Sequence, residues 1–176
     1  MSAQTKDYVL RLVNLKPGER SFLRTHAGQG LDESVHGFDL FAGIWWPLRQ
    51  KGPHTPRREV AWLVAKLHAA CPLEHRDGEE FHLARQLARC VPPEHEEQGK
   101  ARKRFIRRFD RMLRTPLRQL EPDLIWALNE LRERNLPLDL DWVTLTDQVS
   151  HWERTQQRYK WSQIFTTSLT GEQHAD

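Results

Sequence analysis

The sequence lacks the long apolar segments that place a chain in or across a membrane. No run of about 20 apolar residues occurs among its 176 residues, so no segment is predicted to span a bilayer. The stretch MSAQTKDYVLRLVNL contains polar residues throughout and has no signal-peptide apolar block. These absences favour the cytoplasm, where the two cysteines, Cys71 and Cys90, are expected to be reduced thiols.

Motifs for catalysis and for nucleotide binding are also missing. The chain has no P-loop, dinucleotide glycine fingerprint, nucleophile elbow or H-E-x-x-H sequence. Glu94, Glu96 and Glu97 could hold magnesium for phosphodiester cleavage, but no matching set of carboxylates can be recognised elsewhere. We therefore expect no catalytic activity and no cofactor.

Two cysteines and two histidines raise the alternative of a zinc site. Cys71, His75, His82 and Cys90 have the spacing C-x3-H-x6-H-x7-C. This spacing matches none of the usual zinc patterns, which pair close ligands across a tight turn. The sequence favours buried thiols, and no metal is predicted.

Apolar residues recur at helical spacing along most of the chain, and no window shows convincing β alternation. We expect an all-α protein of two small packed bundles without a β-sheet. The predicted organisation is an N-terminal lobe over residues 1–99, a C-terminal lobe over 100–167 and a disordered tail over 168–176. Local signals place an N-cap at Thr55 and another at Asp141, and Pro47 is expected to end an apolar segment over 38–48. Its Trp45-Trp46 pair is interpreted as packing, with base stacking as the alternative if the rings are exposed.

The positive charge is concentrated in residues 100–118, which carry nine basic residues and one acid. Residues 1–99 carry 13 basic and 13 acidic residues, and residues 119–176 carry 5 and 10, so the net charge of +3 conceals a local +8. Seven of the nine cations fall within an arc of roughly 140° on a helical wheel. The opposite arc holds the apolar side chains of Phe105, Ile106, Phe109, Met112 and Leu113.

This segment predicts a binding site for anions, chiefly nucleic acid. Solvated helix faces usually alternate in sign, and this one does not. Seven of its cations are arginines, whose planar fork suits bidentate contact with phosphate. One alternative is a stand-alone DNA- or RNA-binding protein or regulator of the helix-turn-helix kind, which needs a recognition helix aimed at base edges. Another is a basic helix that docks an acidic protein.

Several short segments, taken in order, resemble the CasB family, the small subunit of the type I-E CRISPR surveillance complex Cascade. The segments are KPGERSFLR (16–24), LARQLAR (83–89), KRFIRRFDRMLR (103–114), LPLDLDW (136–142) and RYKWSQIF (158–165). The resemblance implies an all-α, non-catalytic subunit that works in antiviral defence. It further implies two copies packed head to tail among the other Cascade subunits, both backbone and large. Basic residues would hold the guide RNA, the target DNA and the displaced strand of the R-loop.

The resemblance and the basic segment together give the candidate nucleic-acid-binding residues. Matched to the family by position are Arg58, Arg85, Lys103 and Arg104, and Lys160 stands where an arginine is usual. The basic segment adds Lys100, Arg107, Arg108, Arg111, Arg114 and Arg118. Reversing the charges of Arg107, Arg108 and Arg111 is expected to weaken R-loop retention and to leave the fold intact.

Two departures from the family pattern concern the neighbouring helices. Ala84 replaces a usual glycine, and residues 126–130 (WALNE) lack the usual arginines. The resemblance therefore does not imply nucleic-acid contact by the helix that contains residues 126–130.

Overall fold

The computed structural model describes residues 3–33, 35–52, 54–93, 99–134 and 139–172. Within these ranges the chain is mostly helical. The α helices are α1 (Ala3–Val13), α2 (Pro17–Thr25), α3 (Val35–Arg49), α4 (Arg58–Ala70), α5 (Leu83–Arg89), α6 (Gly99–Arg114), α7 (Glu121–Glu133), α8 (Trp142–Ser150) and α9 (Thr155–Glu172). Single 3-10 turns occupy Leu31–Glu33, Glu79–Phe81 and Leu117–Gln119. None of the described helices is both long and apolar enough to cross a membrane.

The all-α prediction is confirmed except for one short pair of strands. Strands β1 (Glu74–His75) and β2 (Asp139–Leu140) pair in parallel, with His75 opposite Leu140. Two residues per strand are too few to produce a readable alternation of apolar and polar side chains, which explains why neither strand was predicted. The pairing joins two distant parts of the chain.

The chain forms two compact units, and each contains residues from distant parts of the sequence. The first unit comprises residues 1–77 and 139–150, and the second comprises residues 78–138 and 151–176. This division differs from the predicted lobes, 1–99 and 100–167. Helix α5 packs against α7 and α9 and belongs to the second unit, although it precedes residue 100. Helix α8 packs against α1 and α4 and belongs to the first unit, although it follows residue 100.

The core of the first unit is built around α4, which is buried from Val60 to Ala69. Helix α2 packs against α4, and α1 packs against α3 and α8. The polar atoms of two buried aromatic side chains donate hydrogen bonds to backbone carbonyls. Tyr8 Oη donates to the Ala61 oxygen at 2.5 Å, and Trp142 Nε1 donates to the Leu73 oxygen at 2.9 Å. As predicted, Asp141 caps α8, because its Oδ1 accepts the Thr144 amide at 2.8 Å.

Two predicted local signals in this unit were wrong. Pro47 does not end α3, which continues to Arg49. Proline has no N–H for the carbonyl of Gly43, and the Arg11 guanidinium approaches that oxygen at 3.5 Å and the Ile44 oxygen at 3.4 Å. Thr55 does not cap α4 either, because its hydroxyl donates to the Leu48 oxygen at 2.9 Å. The N-cap position belongs to Arg57, without a side-chain cap bond.

The core of the second unit is aromatic. The rings of Trp152 and Trp161 meet edge to face at 5.0 Å, and those of Phe109 and Phe165 stack at 3.9 Å. Trp152 Nε1 donates to the Thr115 oxygen at 2.9 Å, at the point where α6 ends. Proline cannot continue a helix, so Thr115-Pro116 is expected to break the basic helix, and α6 ends at Arg114.

Parts of the predicted loops and tail lie outside the described residues. These are residues 94–98, which include Glu94, Glu96 and Glu97, residues 135–138 between α7 and β2, and residues 173–176 of the tail. Residues 168–172 of the tail are described and are helical, because α9 extends to Glu172.

Candidate nucleic-acid interface

The apolar side of α6 fixes which of its faces points to solvent. Phe105, Phe109 and Met112 are buried, as the helical wheel predicts. The Phe105 ring lies edge to face with Trp126 at 5.1 Å, and Phe109 stacks on Phe165. These contacts with α7 and α9 leave the opposite, cationic side exposed. The amphipathic helix predicted for this segment is confirmed.

Two cations of α6 contact side chains of α7 in the second unit. Arg111 Nη2 lies 2.7 Å from Asp123 Oδ1, and the Asp123 side chain is only 7% exposed. The Arg108 guanidinium sits over the ring of Trp126 at 4.7 Å. Because both arginines hold partners in the folded unit, reversing their charge should disturb the packing. The expectation that an Arg107, Arg108 and Arg111 reversal leaves the fold intact therefore needs revision.

Two further cations of α6 make local contacts. Arg114 pairs with the exposed Asp110 one turn earlier at 2.6 Å. Arg102 is half-buried and donates to the Pro92 oxygen at 3.0 Å. The pair of Arg114 and Asp110 is exposed, and pairs of this kind contribute little stability. Arg114 therefore stays available to an anion.

Four cations of α6 are exposed and have no ion pair or hydrogen bond within the described part of the chain: Lys100, Lys103, Arg104 and Arg107. At 100° per residue they fall within an arc of about 100°, over about 10 Å of helix. We call these four residues the cation strip. Arg118, also exposed, follows in the 3-10 turn after α6. Like charges this close repel one another, and an anion laid along the strip removes that repulsion.

The structure does not place the remaining candidate residues on α6. Arg58 belongs to α4 in the first unit and lies 3.1 Å from Asp32, and Arg85 belongs to α5 and lies 3.6 Å from Glu79. Both acids are highly exposed, so these pairs are weak. Lys160 is exposed on α9, next in sequence to the buried Trp161.

A second basic surface, around Lys160, was missed by the sequence analysis. Lys160 lines a surface depression of about 220 Å³ together with His151, Arg154, Gln156 and Gln157. Arg154 precedes α9 and therefore falls outside any helical stripe that contains Lys160. The only signal in the sequence was the density of polar residues at the start of this helix.

Trp45 and Trp46 differ in burial, which was the observation needed to decide between packing and base stacking. Trp45 is buried, and its Nε1 donates to the Pro56 oxygen at 2.8 Å, so the packing prediction is confirmed for this ring. Trp46 is 54% exposed, which packing did not predict. It belongs to the first unit, whereas the cation strip belongs to the second.

The four residues of the zinc alternative are shared between the units. Cys71 and His75 belong to the first unit, and His82 and Cys90 belong to the second. Both thiols are buried, as predicted, and Cys90 Sγ donates to the Glu130 oxygen at 3.7 Å.

Comparison with known proteins gives a consistent result. The family model for the CRISPR-associated protein Cse2 matches residues 19–165. Among solved structures, M. ruber CasB is similar with a TM-score of 0.74 and 19% identity over 98% of both chains. A Cse2-family CRISPR-associated protein from Thermus thermophilus has a TM-score of 0.68 and 22% identity, covering 95% of this chain and 99% of that one.

A third similar chain comes from a structure of E. coli Cascade bound to a PAM-containing double-stranded DNA target. Its TM-score is 0.65 at 17% identity, over 96% of this chain and 95% of that one. No curated protein sequence matches. At these identities the structural matches establish the fold, and the family match covers most of the sequence. The chain therefore belongs to the CRISPR-associated Cse2 family, also called CasB.

Proposed function

We propose that this protein is the non-catalytic small subunit of a type I-E Cascade complex and stabilises the R-loop through the cation strip. In this proposal two copies pack head to tail beside the backbone and large subunits. The family membership supports a place in Cascade, as does the similarity to a chain of DNA-bound E. coli Cascade. The guide RNA, the target strand and the displaced strand are the nucleic-acid partners.

The single observation that carries the proposal is the division of the cations on α6. The helix carries eight basic residues and one acid. The engaged residues Arg108 and Arg111 help to hold the helix in place, and the cation strip remains for an external anion. Lysine and arginine neutralise phosphates whatever the base sequence, so this surface would bind the backbone without choosing a sequence. Sequence choice would be left to pairing between guide and target.

The cation strip has dimensions that suit one strand. Its length of about 10 Å spans about three steps of 3.4 Å per nucleotide along a helical strand, which corresponds to about four phosphates. Four neutralised phosphates give a salt slope of about −2.8 for a single strand and −3.6 for duplex DNA. Affinity should then fall about 50-fold or 150-fold, respectively, between 50 and 200 mM salt.

The proposal is tested by assembling the whole complex with a variant of the cation strip. Lys103, Arg104 and Arg107 would be changed to glutamine, which removes three charges without touching the arginines that hold α6. The matched control replaces the exposed Arg24, Arg132 and Arg134 with glutamine. Both variants lower the net charge of the subunit by three.

The lifetime of the target-bound R-loop is the quantity to measure. We expect the strip variant to shorten it by at least about tenfold, since loss of each phosphate contact weakens backbone binding. The control should stay close to wild type. Equal lifetimes for the strip variant and wild type, with both subunits present in the complex, would contradict the role assigned to α6. Loss of the subunit from the complex would show that the strip contacts another subunit.

A further inference from the structure

A group of three side chains in the first unit has the composition of a metal site. His75 ends β1, Asp77 follows it closely and Asp141 comes directly after β2. One ligand atom from each of the three lies within 4.8 Å of the other two. The parallel pairing of β1 with β2 brings these residues together, although Asp141 is far from the other two in sequence.

The orientation of the His75 ring places one of its nitrogens close to a carboxylate. Nδ1 lies 3.4 Å from the Leu140 oxygen, and in the tautomer that donates to this carbonyl the proton is on Nδ1. Nε2 then presents a lone pair, and it lies 3.2 Å from Asp77 Oδ1. It is shielded from solvent and has no aligned hydrogen bond within the described residues. Either a proton or a metal ion between these two atoms satisfies both of them.

We propose that His75 Nε2, Asp77 and Asp141 bind one zinc ion. Imidazole nitrogen suits zinc and related transition metals, whereas magnesium and calcium prefer sites made of oxygen alone. A metal-binding histidine commonly directs its other nitrogen to a backbone carbonyl, as His75 does to Leu140. The three residues, completed by water, give the nitrogen and oxygen ligands that zinc accepts.

The carboxylate of Asp141 is held in place for this role. Its Oδ1 accepts the Thr144 amide at 2.8 Å, and its Oδ2 accepts the Thr144 hydroxyl at 2.7 Å. Each oxygen has a second lone pair, so these hydrogen bonds do not prevent it from binding a metal. Hydrogen-bonded carboxylates of this kind are usual around metal ions.

The distances fit zinc after a small movement. Zinc bonds of 2.0–2.2 Å give a separation of about 3.3 Å between ligands of a tetrahedral ion. The 3.2 Å between His75 and Asp77 already matches this value. The longest separation, at most 4.8 Å, must shorten by about 1.5 Å. Asp77 is half exposed and can supply that movement.

Lys6 is the competitor for the metal. Its Nζ lies 3.1 Å from Asp77 Oδ2 and competes with a metal ion for this carboxylate. Lys6 is half exposed and can turn away into solvent. An ion bound here would connect the segment after β1 to the start of α8 and stabilise the first unit.

The test uses the full chain, stripped of metal with a chelator and then dialysed against zinc. Elemental analysis should give one equivalent of zinc. Asp77→Asn should weaken the affinity for zinc at least about tenfold, because a ligand is lost. Lys6→Gln should strengthen binding, since it removes the competing cation. Asp7→Asn, at an exposed carboxylate of the same helix as Lys6, should bind as wild type. Zinc at 100 times its dissociation constant should raise the Tm by roughly 5–10 °C.

Three outcomes would overturn the zinc site. They are no uptake at micromolar zinc, uptake that Asp77→Asn leaves unchanged, and displacement of zinc by an equal concentration of magnesium. Asp77→Asn changes a half-exposed side chain and should fold, as circular dichroism would verify, so the test does not depend on a His75 variant.

Discussion

The contact between Arg111 and Asp123 tests how the cations of α6 divide between structural and binding roles. The Asp123 side chain is 7% exposed and accepts hydrogen bonds from Arg111 at 2.7 Å and from the Thr115 hydroxyl at 2.8 Å. Arg111→Ala removes the first of these hydrogen bonds and leaves Asp123 with the one from the Thr115 hydroxyl. A hydrogen bond to a charged group is worth about 1.5–3 kcal/mol. Because Arg111 is 64% exposed, solvent screening reduces the expected loss of stability to about 1–2 kcal/mol.

The matched control is Arg107→Ala, which removes the same side chain from the same helix. Arg107 has no partner among the described residues, so its loss should change the free energy of unfolding by less than about 0.5 kcal/mol. For a chain of this length we expect Arg111→Ala to lower the Tm by roughly 2–8 °C. Urea and thermal unfolding, followed by tryptophan fluorescence, would measure both.

A double-mutant cycle with Asp123→Ala isolates the contact itself. The coupling between Arg111 and Asp123 should be about 1 kcal/mol. Equal stability of the Arg111→Ala and Arg107→Ala proteins, or a coupling near zero, would refute the structural role given to Arg111. Both arginines would then count as exposed cations.

Two further predictions concern buried or strained positions of the fold. Burial, with smaller effects from Arg20 and His75, lowers the pKa of His68 from 6.5 to about 4. Between these values the unfolded chain binds a proton that the folded chain does not, so stability should fall by up to about 3 kcal/mol as the pH drops from 6.5 to 4. Urea midpoints should show this slope, and an equal slope in His68→Phe would contradict the assignment. At Gly78, φ is +145°, a backbone conformation that residues with a Cβ rarely adopt, whereas the exposed Glu80 carboxylate 2.9 Å from an added Cβ can turn away. Gly78→Ala should therefore cost about 1–3 kcal/mol in urea unfolding, whereas Gly18→Ala, which has open space, should cost nothing; equal stability of the two variants would argue against strain at Gly78.

The amphipathic character of α6 was predictable because it depends on residues three and four apart. The wheel that placed Phe105, Phe109 and Met112 inward required only the helical repeat, and the break at Thr115-Pro116 required only the geometry of proline. The same reasoning located the cap at Asp141. Local chemistry decides such features, and the sequence displays it.

Features that depend on distant contacts could not be predicted in this way. The partner of Arg111 lies on the next helix, so the wheel could not separate Arg111 from Arg107. The β1–β2 pair joins segments that carry no local signal, and it brings His75, Asp77 and Asp141 together. The assembly of each unit from distant parts of the sequence has no local signal either. The exposure of Trp46 beside the buried Trp45 likewise depends on what packs against α3.

The central claim is that the cation strip binds the nucleic-acid backbone, and the salt dependence of binding tests it most directly. The affinity of the isolated protein for a single-stranded oligonucleotide would be measured between 50 and 200 mM salt. Four phosphate contacts predict a slope of about −2.8 for log K against log salt, and the Lys103, Arg104 and Arg107 glutamine variant should make that slope less steep by about 2. A slope near zero, or the same slope in the variant and wild type, would contradict the claim.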